Sequence, residues 1–116
     1  MKLKLNKQKD KILKEIKRTI LEIANEMNIE VDKIILFGSR ARGDYKPKSD
    51  WDILVVTKKI QDNNIKRELW LKIYEKLTEL LKSEVDLLII DNYNYSRYKE
   101  FSGYVFYWIN KEGVKL

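Results

Sequence analysis

Two aspartates, Asp50 and Asp52, stand one residue apart at the start of the apolar, β-branched run WDILVVT. Side chains alternate between the two faces of a strand, so both carboxylates would point the same way. Carboxylates on one face repel each other unless a positive charge lies between them, and a divalent cation is the usual partner of such a pair beside a loop. The alternative is an exposed acidic pair in a turn.

Residues suited to phosphate lie just upstream, in GSRARGDYKPKSDWD. Gly38 lets the backbone approach a phosphate closely, and Ser39 offers a hydroxyl, the N-cap of a short helical turn and that turn's first free N–H groups. The GK[ST] ending of a Walker A loop is missing. Four cations could reach the same region or, alternatively, form ion pairs and a solvated loop edge: Arg40, Arg42, Lys46 and Lys48.

A third carboxylate, Asp86, interrupts the apolar run SEVDLLIID. A carboxylate at a buried position is costly unless it is paired or bound to a metal. If the strands of Asp52 and Asp86 are neighbours in the sheet, Asp86 completes a three-carboxylate cluster. Pairing with a Lys or Arg is the alternative, and Asp91 is a rival that lies past the strand and is expected to begin the next turn.

Composition limits the chemistry that these residues can perform. The chain has no cysteine and no histidine, which excludes disulfides, thiolate nucleophiles, Ser-His-Asp triads and His-ligated metals. Catalysis must therefore rest on carboxylates, hydroxyls, Lys, Arg, Tyr and bound ions. Oxygen ligands of this kind favour Mg²⁺ or Mn²⁺ over zinc.

Length and charge place the chain among small globular proteins. We expect one compact domain over residues 1–116, with an apolar share of 44% sufficient for a modest core. No run approaches a membrane span and the start lacks a signal-peptide core, so a cytoplasmic location is expected. The net charge of +6 suits an anionic partner but is equally explained by a solvated lysine-rich surface.

The elements that must position the three aspartates can be predicted from periodicity. An amphipathic helix is expected over 8–28, strands over 31–37, 51–57 and 84–90, and a long helix over about 64–82. The third strand, nearly all apolar, is expected to be central in the sheet. The aromatic tail 93–110 is predicted to be helical, with Gly103 as a weak point and with core or interface packing for its rings. The order is α-β-(turn)-β-α-β-α.

The spacing resembles that of the DNA polymerase β-like nucleotidyltransferase superfamily, in which Gly-Ser is followed after ten residues by Asp-x-Asp between two strands. The fuller string GSRARGDYKPKSDWDILVV, with VDLLII in the next strand, is similar to its minimal branch, the MNT proteins. Those proteins are often paired with HEPN-domain toxins in prokaryotic toxin–antitoxin modules. The resemblance implies an α/β (α+β) fold with a short mixed sheet and helices packed against it.

The resemblance also implies a set of roles. ATP would be the substrate, two Mg²⁺ ions the cofactors, and AMP would be transferred to a hydroxyl, with a tyrosine of a HEPN toxin as the acceptor. The third aspartate would bind the catalytic metal and help to deprotonate that hydroxyl. The nucleotide-binding candidates are Gly38, Ser39, Arg40 and Arg42, and the catalytic and metal-binding candidates are Asp50, Asp52 and Asp86.

Two other functions stay open on the sequence alone. One is a binding module that neutralises its partner by contact, without catalysis. The other is nucleotidylation of a small molecule or an RNA end, which the absence of an added acceptor-binding domain weakens. A homo- or hetero-oligomer is compatible with all three functions, and no direct binding of nucleic acid or membrane is expected.

Overall fold

The computed structural model describes residues 2–116, and side chains from residue 9 onward. The helices are α1 (Lys2–Glu26), α2 (Gly38–Arg42), α3 (Asn63–Leu81), α4 (Asn92–Tyr98) and α5 (Val105–Glu112). The strands are β1 (Val31–Phe37), β2 (Trp51–Thr57), β3 (Val85–Asp91) and β4 (Val114–Lys115). The mixed class with helices packed on a short sheet is confirmed.

The two long helices cover one face of the sheet. Apolar side chains recur every three or four residues in α1 and α3, which gives each helix an apolar stripe. The fully buried members of the two stripes are Ile16, Ile20, Ala24, Leu69, Ile73 and Leu77. Burial of each larger side chain contributes roughly 1.5–3 kcal/mol to the stability of the fold, so the two long helices hold the strands in place on this face of the sheet. Neither of these helices, nor any other in residues 2–116, has an apolar stretch long enough to cross a membrane.

The short helices α4 and α5 cover the opposite face. Tyr95 of α4 and Ile109 of α5 are buried there, against alternate side chains of the strands that include Leu54. Since side chains alternate along a strand, Asp52 projects to the same face as Leu54. The aspartates of the motif therefore belong to the face of the short helices.

The sheet has the order β3-β2-β1-β4, with β2 and β3 parallel and the other pairs antiparallel. The inferred adjacency of the second and third strands is confirmed. The prediction that the third strand is central is wrong, because β3 lies at the edge. Its apolar character reflects helices on both of its faces, and the Trp70 indole N–H donates to the outward carbonyl of Leu87 at 2.8 Å.

The start of α2 and the aromatic tail show in detail where the sequence-based expectations hold and where they fail. Ser39 is not an N-cap, because the positive φ of Gly38 (73°) lets the helix begin directly after β1, with Phe37 at the N-cap and no side-chain cap. The predicted weak point at Gly103 lies in a break that divides the aromatic tail into two helices, and the two-residue strand β4 follows them. Half of the eight aromatic rings of the tail are exposed, among them Phe101 and Trp108, whereas Tyr95 is buried in the core and Tyr98 and Phe106 pack against it.

Candidate active site

The register of the sheet brings two of the three aspartates side by side. Asp52 on β2 is directly opposite Asp86 on β3, and on its other side it is opposite Phe37, the last residue of β1. Gly38 follows Phe37, so the Gly-Ser turn also meets this end of β2. Asp50 precedes the strand by one residue and is exposed. The motif residues from three strands thus converge on one end of the sheet.

The convergence is visible in the electrostatics of Asp52. Burial, followed by the negative charges of Asp86 and Asp50, raises the pKa of Asp52 from its usual 3.8 to about 6. A hydrogen bond with the Asp86 side chain acts in the same direction, while the positive charge of Arg42 opposes it. The carboxylates therefore form one interacting group, with excess negative charge at its centre.

Gly38 is held against the Asp52 side chain. Its φ of 73° lies in the left-handed region, and a Cβ built there would overlap the Asp52 Oδ2 atom and lie 2.8 Å from its Cγ. Only glycine fits both the conformation and the space. The close approach places the first N–H groups of α2, which have no intrahelical partner, beside the carboxylate group.

The two arginines of the motif occupy different surroundings. Arg42 is exposed, lies 3.4 Å from Asp44 and acts electrostatically on Asp52. Arg40 is buried at 8% exposure, and its guanidinium donates to the backbone carbonyls of Pro47 and Ser49. Arg42 therefore pairs with Asp44 and influences Asp52 through its charge, whereas Arg40 is directed into the connecting loop.

The remaining candidates lie outside the carboxylate group. Lys46 and Lys48 are exposed in a turn closed by Ser49, whose N–H donates to the Lys46 carbonyl at 3.0 Å. Asp91 lies at the far end of β3 and caps α4, where it accepts from the backbone N–H of Asn94 at 2.7 Å. Asp91 is the last residue of β3 and does not lie past the strand as expected, but it does begin the next element, since its carboxylate caps α4.

The donor set fits a hard divalent cation by its chemistry. Asp52 and Asp86 are paired across the strands, and Asp50 adds a third oxygen donor close enough to influence them. Among the side chains that the structure describes, no three acidic groups converge tightly enough to enclose one ion. The observation that favours a cation is the surplus of negative charge around Asp52, which a positive ion would neutralise.

Replacing Asp52 by Asn should stabilise the metal-free fold at neutral pH. The pKa of Asp52 is higher in the folded than in the unfolded state, so ionisation of this carboxyl group destabilises the fold. The free energy of unfolding is therefore unaffected below pH 3.8, and it falls as the pH rises through about 6. With allowance for the partial exposure of Asp52, we expect the free energy of unfolding of Asp52→Asn to be about 1 kcal/mol higher than that of wild type at pH 7.5. At pH 3.5 we expect the two values to be equal.

Urea unfolding at both pH values, in the presence of a chelator, measures this difference. The matched control is Asp44→Asn, which removes an exposed carboxylate of the same loop. A gain for Asp52→Asn that is no larger at pH 7.5 than at pH 3.5 would show that burial and the neighbouring carboxylates do not raise the pKa of Asp52.

Sequence reasoning missed the residues that surround Arg40. The aromatic rings of Tyr45 and Trp51 lie over its guanidinium, with centroids 4.7 and 4.2 Å from Cζ. The only signal in the sequence is an aromatic residue on each side of the Pro-containing turn, which does not indicate a contact with an arginine several residues away.

Comparison with known families gives one match that covers most of the chain. Residues 18–108 match the family described as "Polymerase beta, Nucleotidyltransferase". Among curated proteins of Methanocaldococcus jannaschii, "Putative protein adenylyltransferase MJ0141" is 45% identical over 49 residues, which are 42% of this chain and 46% of that protein. "Putative protein adenylyltransferase MJ0604" is 49% identical over 43 residues, 37% of this chain and 43% of that protein. The matched segment thus spans about half the length of each relative.

Two solved structures share the fold. A mutant of the toxin–antitoxin MntA-HpeT superposes with a TM-score of 0.56 and 26% identity, over 86% of this chain and 70% of that chain. A protein described as a "putative minimal nucleotidyltransferase" has the same TM-score of 0.56 with 20% identity, over 90% of this chain and 92% of that chain.

Proposed function

Because this chain belongs to the polymerase β nucleotidyltransferase family, within its minimal branch, we propose that it is a Mg²⁺-dependent enzyme that transfers AMP from ATP to a protein hydroxyl. The observation that carries the proposal is the pairing of Asp52 with Asp86 directly beside the Gly38 turn. One end of the sheet then supplies oxygen donors for cations and a close backbone approach for phosphate.

Each part of the site has a role in this reaction. Asp50 and Asp52 would hold the two Mg²⁺ ions, and Asp86 would serve as a third ligand of one of them. When bound, the ions neutralise charge on the attacking and leaving oxygens of an in-line displacement. Gly38 and Ser39 hold the triphosphate. None of these roles requires histidine.

The bond changes follow from the same arrangement. The acceptor oxygen forms a bond to the α-phosphorus of ATP, and the bond from that phosphorus to the bridging oxygen breaks, so pyrophosphate leaves. Asp86 accepts the proton of the acceptor hydroxyl, because its exposed carboxylate lies beside Asp52. Arg42, whose side chain is half exposed, can turn from Asp44 towards the leaving phosphates.

We propose further that the acceptor is a tyrosine of a HEPN-domain toxin and that the chain acts as its antitoxin. The likeness to a structure of a toxin–antitoxin pair supports this partner, as does the motif itself. AMP on the toxin would place a bulky anion in its active site. Further contacts that hold the acceptor would come from the interface between this chain and the toxin.

A second candidate, neutralisation by contact alone, is favoured by the exposed aromatic residues of the α4–α5 segment. Tyr93 is 65% exposed and Phe101 60% exposed, on a surface where Trp108 is also half exposed. Apolar rings of this size outside the core are typical of a protein interface. Contact and catalysis are compatible, so only a measurement of transfer distinguishes them.

The proposed activity can be tested with labelled ATP, Mg²⁺ and a HEPN-domain protein as the acceptor. We expect label from the α-phosphate on the HEPN protein, no label from the γ-phosphate, and a dependence on the divalent ion. Label from the γ-phosphate would indicate phosphorylation and contradict the proposed reaction.

A further inference from the structure

The side chain of Arg40 fastens the loop that connects α2 to β2. From α2, its Nε donates to the Ser49 carbonyl at 3.1 Å and its Nη2 to the Pro47 carbonyl at 3.2 Å. The loop of residues 43–50 is otherwise largely exposed, and its own turn is closed by contacts between Lys46 and Ser49. One buried guanidinium therefore holds the second half of the loop against α2.

Aromatic rings complete the surroundings of this cation. Tyr45 lies on it from the loop and Trp51 from β2, at 4.7 and 4.2 Å from Cζ to the ring centroids. No acidic side chain among those described forms an ion pair with Arg40. A cation out of water is stabilised here by carbonyl oxygens and π faces, an environment that suits a planar guanidinium and not an ammonium.

The residues that Arg40 contacts are the sequence neighbours of the metal-binding candidates. Ser49 directly precedes Asp50, and Trp51 lies between Asp50 and Asp52. The Trp51 N–H also donates to the Glu84 carbonyl at 3.0 Å, which joins this point to the chain just before β3. Displacement of the guanidinium would therefore move the backbone on both sides of Asp50.

We propose that Arg40 is a positioning residue, which sets the places of Asp50 and Asp52 through the loop and does not bind phosphate. This inference rests on the proposed nucleotidyl transfer for its catalytic consequence. It separates the two arginines of the motif, since Arg42 is exposed and free of such contacts apart from Asp44. The geometry of the loop carries the proposal without any reference to a nucleotide.

The variant Arg40→Lys separates positioning from phosphate binding. Lysine keeps the positive charge but cannot donate to both carbonyls from a planar, stacked group. We expect trypsin to cleave the Lys48–Ser49 bond roughly tenfold faster or more in the nucleotide-free protein, because the loop opens more often. In the transfer assay we expect kcat to fall by about tenfold or more, with KM for ATP within about twofold of wild type.

A second variant tests the same contact without replacing Arg40, so the test does not depend on whether Arg40→Lys folds. Tyr45→Leu leaves Arg40 in place and removes one π face from an exposed position, and we expect faster cleavage at Lys48 in the same direction. Arg18→Lys is the matched control, because Arg18 is exposed on α1 and pairs with Glu22 at 4.0 Å. Its loop cleavage, kcat and KM should equal those of wild type.

The remaining outcomes contradict the proposal in different ways. Wild-type protection of Lys48 in both Arg40→Lys and Tyr45→Leu would show that Arg40 does not hold the loop. Faster cleavage with unchanged kcat, or a raised KM with unchanged kcat, would show that it does not position the aspartates. A wild-type chain without transfer activity would overturn the proposed function and this catalytic role, whereas cleavage at Lys48 would still show whether Arg40 holds the loop.

Discussion

Gly38→Ala is expected to eliminate nucleotidyl transfer and to destabilise the fold. The new methyl group would occupy the position of the Asp52 Oδ2 atom, and the residue would have to keep a φ of 73° or rearrange the end of β1. The left-handed conformation alone costs about 1–2 kcal/mol for a residue with a Cβ, and displacement of Asp52 adds to it. Thermal unfolding and the α-phosphate transfer assay measure the two effects separately.

Gly43→Ala is the matched control for this prediction. Gly43 also has a positive φ, 91°, but a Cβ there meets nothing within 4 Å. Gly43→Ala should therefore be destabilised only by the strain of its left-handed backbone, and it should retain most of its transfer activity. Equal losses of activity in Gly38→Ala and Gly43→Ala would show that the contact with Asp52 is not what the glycine is needed for.

Asp86→Asn is expected to lower transfer by roughly 10²- to 10⁴-fold without destabilising the protein, the range typical of a lost proton acceptor. The amide cannot accept the proton of the acceptor hydroxyl and is a weaker ligand for Mg²⁺. Its removal of one negative charge beside Asp52 should leave the fold at least as stable as wild type. Single-turnover rates and urea unfolding of the same preparation test both statements.

The same substitution at the other end of β3 provides the control. Asp91 caps α4, and Asn is as good an N-cap as Asp, so Asp91→Asn should fold and transfer AMP normally. If Asp91→Asn lost transfer as severely as Asp86→Asn, the assignment of the third carboxylate to Asp86 would be wrong.

Local sequence predicts the parts of the site that lie within one segment. The closeness of Asp50 and Asp52 follows from their separation by one residue at the start of β2, and the turn at Gly38 from the glycine itself. The place of Asp86 depends on the register between β2 and β3. A slip of one residue would turn it to the other face, so only the structure establishes that it is opposite Asp52.

Contacts between distant residues explain most of what the sequence left open. Arg40 could be a phosphate ligand or an ion-pair partner from its type alone, and its burial results from a loop that folds back on α2. The edge position of β3 depends on which strands pair, which an apolar run does not indicate. Which rings of the aromatic tail pack in the core and which stay on the surface depends on the break between α4 and α5, which leaves Phe101 and Trp108 exposed.

The most direct test of the proposed function is transfer of α-phosphate label to the HEPN protein by wild type and by an Asp50→Asn, Asp52→Asn double variant, with toxin activity measured in the same samples. The proposed mechanism predicts label and loss of toxin activity with wild type only. Equal neutralisation by both proteins, with no label on the partner, would contradict it and identify the chain as an antitoxin that acts by contact.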